Sequence, residues 1–163
     1  MRGHIMKKIF FLLIAASFLL IGYSDISKGD SLVTYDHNQL ASDLEKEGIE
    51  PKLPTEFPVA ITNYEIVKPP HESARHEIGL TGESGEVFTL VIHSAPVTYD
   101  GKLDNQEKIE INGNEGFYAV NDVTGPSVHW TDDDYHYILE YQTIGLETEV
   151  NKETMMAIAK SYE

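Results

Sequence analysis

Apolar side chains recur along this chain with three different spacings, and each spacing predicts a different element. Ile9 to Ile21 is an apolar run interrupted by Ser17 alone. Leu40, Ala41 and Leu44 share one helical face; Asp36 stands where it can cap that helix, with Gln39 three residues on, and Gly48 ends it. From Val59 the pattern changes to alternation. Ile61–Val67 reads as a first strand closed by Pro69-Pro70, and Arg75–Leu80 as a second. GESG (Gly82 to Gly85) is a turn, and Val87–His93 is apolar on both faces, which predicts a central strand covered on each side. After a polar loop from Tyr99 to Gln106, Lys108–Ile111 and Phe117–Val120 flank Asn112-Gly113-Asn114. Asn-Gly is a hairpin signal, because both central residues of the tight turn need positive φ. Gly125-Pro126 predicts another turn. Val128 and Trp130 then share a face, Asp132-Asp133-Asp134 turns the chain, and Tyr135, Tyr137, Leu139 and Tyr141 line one face of the next strand. Asn151 caps a last helix, with Val150 placed to staple Met155 and with Met155, Ile158 and Ala159 facing inward.

Helix, about six or seven antiparallel strands, helix: with no βαβ alternation, that order predicts an α+β fold. The expectation is a curved antiparallel meander sheet with an N-terminal and a C-terminal helix packed on it. Pro51, Pro54 and Pro58 forbid a helix and predict an extended connector leading into the first strand.

The first apolar run carries an address. Lys7 and Lys8 precede it, and small and polar residues follow, the three-part layout of a secretory signal. Its 13 residues fall short of the roughly 20 that span a bilayer as a helix, so residues 1–24 read as a signal peptide rather than an uncleaved anchor, cut before Asp25. Leu20-Ile21-Gly22-Tyr23 resembles a lipobox with Tyr where the acylated Cys would stand. Arg-Gly at positions 2 and 3 can be encoded by a ribosome-binding sequence, which points to Met6 as the start. Residues 25–35 read as a polar tether and 36–163 as a single domain.

Composition narrows the chemistry. The chain of 163 residues is 41% apolar, enough for one core. It has no cysteine, so disulfides, thiolate metal sites and thiol catalysis are excluded. From Asp25 onward nine basic residues face 27 acidic ones. A surface of that sign repels phosphate backbones and anionic lipid, so no nucleic acid is expected as a partner, and membrane contact only through an uncleaved N-terminus.

The candidate sites are few. His129 and His136 flank Asp132 and Asp134, and a carboxylate-rich turn can hold a hard cation. Calcium loops, however, place ligands at fixed offsets around a glycine, and three adjacent aspartates do not converge, so a solvated hairpin tip is the plainer reading. His71 and His76 lack the spacing of a zinc pair on a helix. Ser84 in GESG lacks the strand–elbow–helix setting of a reactive serine, and no two carboxylates stand out as a hydrolytic pair. No cofactor is expected. Trp130, Tyr135, Tyr137 and Tyr141 form an aromatic face that is either cross-strand packing under the last helix or the lining of a groove for a small apolar ligand or a peptide.

Ile109–Gly116 (IEINGNEG), Trp130–Leu139 (W-x-D-x-x-Y-x-Y-x-L) and Glu153–Tyr162 (ETMMAIAKSY), together with the Pro-punctuated approach to the first strand, resemble the domain-of-unknown-function family numbered forty-three sixty-seven. The resemblance covers roughly Pro51 to Tyr162. The chain departs from the family pattern at Met155-Met156 and Tyr162, and in its acidic triplet where many members have Gly. The resemblance implies an extracytoplasmic domain of Gram-positive bacteria, of the kind found in lipoproteins and membrane-bound anti-sigma factors, and implies no catalytic residue. The expectation is a secreted or membrane-anchored, non-enzymatic binding domain in envelope sensing, its partner an envelope protein or a small apolar or peptide ligand. The alternatives are a cell-wall or polymer hydrolase using an Asp/Glu pair, and an immunity protein for a cationic toxin or peptide.

Overall fold

The computed structural model describes residues 31–67, 74–98, 106–142 and 150–163. The expected signal segment, Pro69-Pro70, His71 and most of the Tyr99–Gln106 loop lie outside them. The described elements are β1 (Val33–Thr34), α1 (Asn38–Lys46), β2 (Glu56–Phe57), β3 (Ile61–Val67), β4 (Arg75–Gly82), β5 (Val87–His93), β6 (Glu107–Ile111), β7 (Asn114–Asn121), β8 (Gly125–Asp132), β9 (Tyr135–Gln142) and α2 (Lys152–Lys160). The fold is α+β, as the alternation predicts. Seven strands form one open antiparallel sheet in the order β3-β4-β5-β9-β8-β7-β6, and β1 pairs with β2 in a second, two-stranded sheet. The meander comes in two runs. β3 to β5 form one, β6 to β9 the other, and the second lies reversed so that β9 docks on β5.

Local chemistry sets the element ends. Asn112 (φ 48°) and Gly113 (φ 88°) supply the left-handed pair that joins β6 to β7. α1 closes on Gly48 at φ 88°, where the Gly48 N–H donates to Glu45 O (3.0 Å) and the Ile49 N–H to Leu44 O (3.1 Å). Its start differs from the expected capping box. The helix begins at Asn38, and Asp36 Oδ1 accepts from the Asn38 backbone (3.1 Å) and side chain (2.6 Å) in a local turn instead. Gln39 donates forward to Asp43 (3.2 Å). Asn151 caps α2 as expected, its Oδ1 accepting from the Thr154 N–H at 2.9 Å. Pro126, expected in a turn, lies in β8; the turn before it is closed by Asn121 Oδ1, which accepts from the Val123 N–H at 2.8 Å.

Leu40 and Leu44 of α1, Met155, Ile158 and Ala159 of α2, and Ile78, Leu80, Phe88, Leu90, Ile92, Val128, Trp130, Tyr137, Leu139 and Tyr141 of the sheet belong to a single core cluster. By pleat alternation these sheet residues share one face, so both helices cover the same side. The proline-rich connector is part of that cover. Leu53 and Phe57 are buried in the core, and Leu53 exchanges both backbone hydrogen bonds with Glu163 (3.0 and 3.1 Å). Ser161 Oγ accepts from the Thr55 and Glu56 N–H groups. The fold also begins earlier than the expected boundary at Asp36. Val33 and Thr34 pair with β2, and Tyr35 packs edge-on against Phe57 at 5.7 Å.

Candidate functional site

The aromatic face of the β8–β9 ribbon is core. Trp130 and Tyr137 are 1% exposed and Tyr141 is fully buried, while Tyr135 is half-buried. Trp130 stacks on Tyr137 with centroids 5.0 Å apart and planes 8° off parallel, and Tyr162 packs on both rings. Tyr141 lies 4.9 Å from Phe88, which in turn meets Phe57 at 5.2 Å. The connector closes the face: the Lys52 N–H donates to Tyr137 Oη (3.2 Å) and the Glu50 N–H to Tyr135 Oη (3.1 Å). Of the two sequence readings, packing describes Trp130 and Tyr141, whereas Tyr135 and Tyr137 also line a cleft at the hairpin tip. The chain itself covers Trp130 and Tyr141. Trp130 Nε1 is buried without a hydrogen-bond partner among the described residues.

The acidic triplet divides. Asp132 belongs to β8 and is 9% exposed. It receives Lys52 Nζ at 2.5 Å and Asn114 Nδ2 at 3.0 Å. Burial pushes the Asp132 carboxyl up, but hydrogen bonds from Lys52, Tyr162 and Asn114 outweigh it and hold the group below its usual range. Asp133 turns the hairpin at φ 50° with its side chain in solvent, 3.5 Å from Lys52 Nζ. A shallow cleft lies on each side of this tip. One, of about 540 Å³, is lined by Glu50, Lys52, Asp132, Asp133, Asp134 and the two tyrosines 135 and 137. The other, of about 640 Å³, runs between Ser94–Val97 and Thr131, Asp133, Asp134 and His136.

The weak metal candidates Asp132, Asp134, His129 and His136 do not converge. Asp132 is engaged from the core side by Lys52 and Asn114, whereas His129 alternates onto the opposite face from Trp130. Among the described residues no group of three His, Asp or Glu side chains is placed to hold a metal ion.

That opposite face carries what the sequence reading missed. His93 of β5 is registered against His136 of β9, and Thr131 of β8 against His136. The His93 and His136 rings lie 6.2 Å apart and the His136 and His129 rings 6.5 Å apart, so three strands bring three imidazoles into one row. His129 ends the row, 6% exposed, stacked on Phe117 at 4.2 Å and 14°. Its Nε2 lies 2.9 Å from Ser127 Oγ, and His136 Nδ1 lies 2.9 Å from Thr131 Oγ1. Burial, then the neighbouring His136, pushes His129 down to about 4. Burial also lowers His136, followed by His93, and lowers His93, followed by Arg75. The signal in the sequence was Ser127-x-His129-x-Thr131, an alternation that puts three polar side chains on one strand face. His93 needed the register.

Two carboxylates share this face. Glu140 is registered against Ser127, and burial, then the charge of Glu77, pushes its carboxyl up. Glu77 is engaged by Arg75 Nη2 at 2.6 Å, and neither lines either cleft at the hairpin tip. Ser127 and His129 are in contact, yet both are buried and neither lines those clefts. The pair satisfies buried polar atoms without the accessible nucleophile that acyl transfer needs. His76, on the core face, has a buried Nδ1 without a partner among the described residues.

The chain matches no family model, no curated protein and no solved structure. Among the described residues no helix is long and apolar enough to cross a membrane.

Proposed function

We propose that the chain is an extracytoplasmic, non-enzymatic domain that binds a partner protein of the cell envelope. The observation that carries this reading is the filled aromatic face. With Trp130 and Tyr141 packed in the core and Tyr137 covered by Lys52 and Tyr162, the marked face offers, among the described residues, a shallow cleft at Tyr135 and Tyr137 and no enclosed apolar groove. Recognition then falls to exposed surface, which suits a macromolecule better than a small molecule. The secretory layout of residues 1–24 supports the location, and the motif resemblance supports the envelope role.

The test uses Trp130 as its reporter. Titration of the full chain with envelope lipids and cell-wall fragments is expected to leave its fluorescence unchanged. A photocrosslinker at solvent-exposed Asp133 is expected to give one discrete protein adduct in intact cells. A saturable Trp130 shift with a small apolar ligand refutes the reading.

A polymer hydrolase is the second reading, and the raised carboxyl of Glu140 beside Glu77 is its support. Cleavage of cell-wall polymer by the wild type, lost on Glu140→Gln, establishes it in place of the first.

A further inference from the structure

The histidine row has a chemistry of its own, independent of where the domain resides. Imidazole is the side chain whose charge changes near neutral pH. Here three of them sit on adjacent strands, ring beside ring, on the face away from the helices. The row is graded in exposure. His93 and His136 are half-buried, and His136 opens on the cleft beside Asp133 and Asp134; His129 is almost fully buried against Phe117 and Ser127.

The charged groups facing the row come from each neighbouring strand. On β4, Arg75 is registered directly against His93 and holds Glu77. On β9, Glu140 lies one residue pair beyond Ile138, which stands opposite His129. On β7, Phe117 separates His129 from Lys108 of β6, and Glu115 follows along the strand edge. Arg75 and Lys108 add positive charge at the two ends. Asp133 and Asp134 line the cleft onto which His136, the middle ring, opens. Glu140 lies toward the inner end, its own charge disfavoured by burial.

We propose that the row His93–His136–His129 is a proton-triggered latch on the β5–β9–β8 part of the sheet: packed when neutral, and driven apart when its members protonate in turn from the cleft inward. A proton taken up at His136 places a charge one ring away from His129. The next proton must enter where the imidazole has no water, so it is accommodated by opening the Phe117–His129 stack.

The direction in pH follows from linkage. The unfolded chain holds its histidines at about 6.5, and the folded chain holds His129 lower, at about 4. Between those values the unfolded state binds more protons, so stability is full above pH 6.5 and falls as pH drops toward 4. His129 alone raises the unfolding constant on the order of tenfold between pH 6.5 and 5, a window above most carboxylate titration.

The experiment follows the full chain by thermal and urea unfolding from pH 7.5 to 5, alongside an NMR titration of the histidine ring protons. Expected are a loss of stability across the window and a His129 resonance still neutral at pH 5. His129→Phe keeps a ring against Phe117 and His129→Gln keeps a polar group beside Ser127; both are expected to flatten the pH slope, whatever their absolute stability. His136→Gln, which leaves the His129 packing intact, is expected to raise the His129 pKa by removing the adjacent charge. A wild-type His129 that titrates near 6.5, or an undiminished slope in both His129 variants, overturns the latch.

Discussion

Replacing Trp130 separates core from surface by magnitude. The indole is 1% exposed, packed against Tyr137 and Tyr162 at 5.0 and 5.7 Å, and carries one buried N–H without an acceptor among the described residues. Trp130→Ala removes the whole side chain from a packed layer, and truncations of that kind cost about 3–5 kcal/mol. Trp130→Phe leaves a cavity of a few tens of Å³, on the order of 1 kcal/mol at about 24 cal/mol per Å³. It also removes the unpaired donor, whose burial costs roughly 1–3 kcal/mol. The two terms oppose each other. Trp130→Phe is therefore expected within about 1 kcal/mol of wild type, and Trp130→Ala several kcal/mol below it, a large share of a total of about 5–15 kcal/mol. Urea unfolding followed by far-ultraviolet circular dichroism measures both, with the m-value checked for constancy. Trp130 is the only tryptophan, so a blue-shifted emission resistant to acrylamide in the wild type is a second readout. Trp130→Ala costing less than about 1 kcal/mol would falsify the packed-layer account and reopen the groove. A Trp130→Phe cost equal to that of Trp130→Ala would show that Nε1 has an acceptor after all.

Two further predictions test the sheet and the last helix. A Cβ at Gly116 would collide with the backbone carbonyl oxygen of His129 and come within 3.2 Å of Trp130 Cβ, whereas one at Gly79 meets nothing within 4 Å. Gly116→Ala is expected to cost at least the roughly 1–3 kcal/mol of an overpacked core and Gly79→Ala to be close to neutral in the same urea assay; equal effects would refute the close approach of β7 to β8. Asn151→Ala removes the acceptor for the Thr154 N–H at 2.9 Å and is expected to cost about 1 kcal/mol; thermal unfolding measures it, and no loss would mean that the cap is idle.

The sequence was most legible where local chemistry decides the outcome. Asn112-Gly113 needs positive φ at both residues and makes the expected hairpin. Asn151 has one good use at the head of an amphipathic run. Tyr135, Tyr137, Leu139 and Tyr141 alternate, so they share a face in any strand. What could not be read was the partner on each face. Alternation says that Tyr137 points with Trp130; it does not say that Lys52 will come across to cover it, because three prolines describe a connector's stiffness and not its destination. Strand order was hidden for the same reason. β5 pairs with β9 because the second meander folds back, and no residue in either strand signals that alone. Asp36 failed as a cap in an instructive way: its carboxylate found the Asn38 amide group first and made a tighter local turn.

The two faces of the sheet answer different demands. The helix-covered face is built from Leu, Ile, Val and aromatic side chains in mutual contact, and burying them is sufficient reason for their presence. The opposite face is not explained that way. Ser127 and His129 are buried there as a polar pair, and a hydrogen-bonded polar pair in a strand gives little net stability over apolar residues of similar volume. Burial and the neighbouring rings lower the pKa values of His129 and His136, so the arrangement costs stability at low pH. A row that only weakens the fold as protons arrive is better accounted for by what it does when they arrive. Its graded exposure, from the cleft at Asp133 and Asp134 inward to His129, supplies the route.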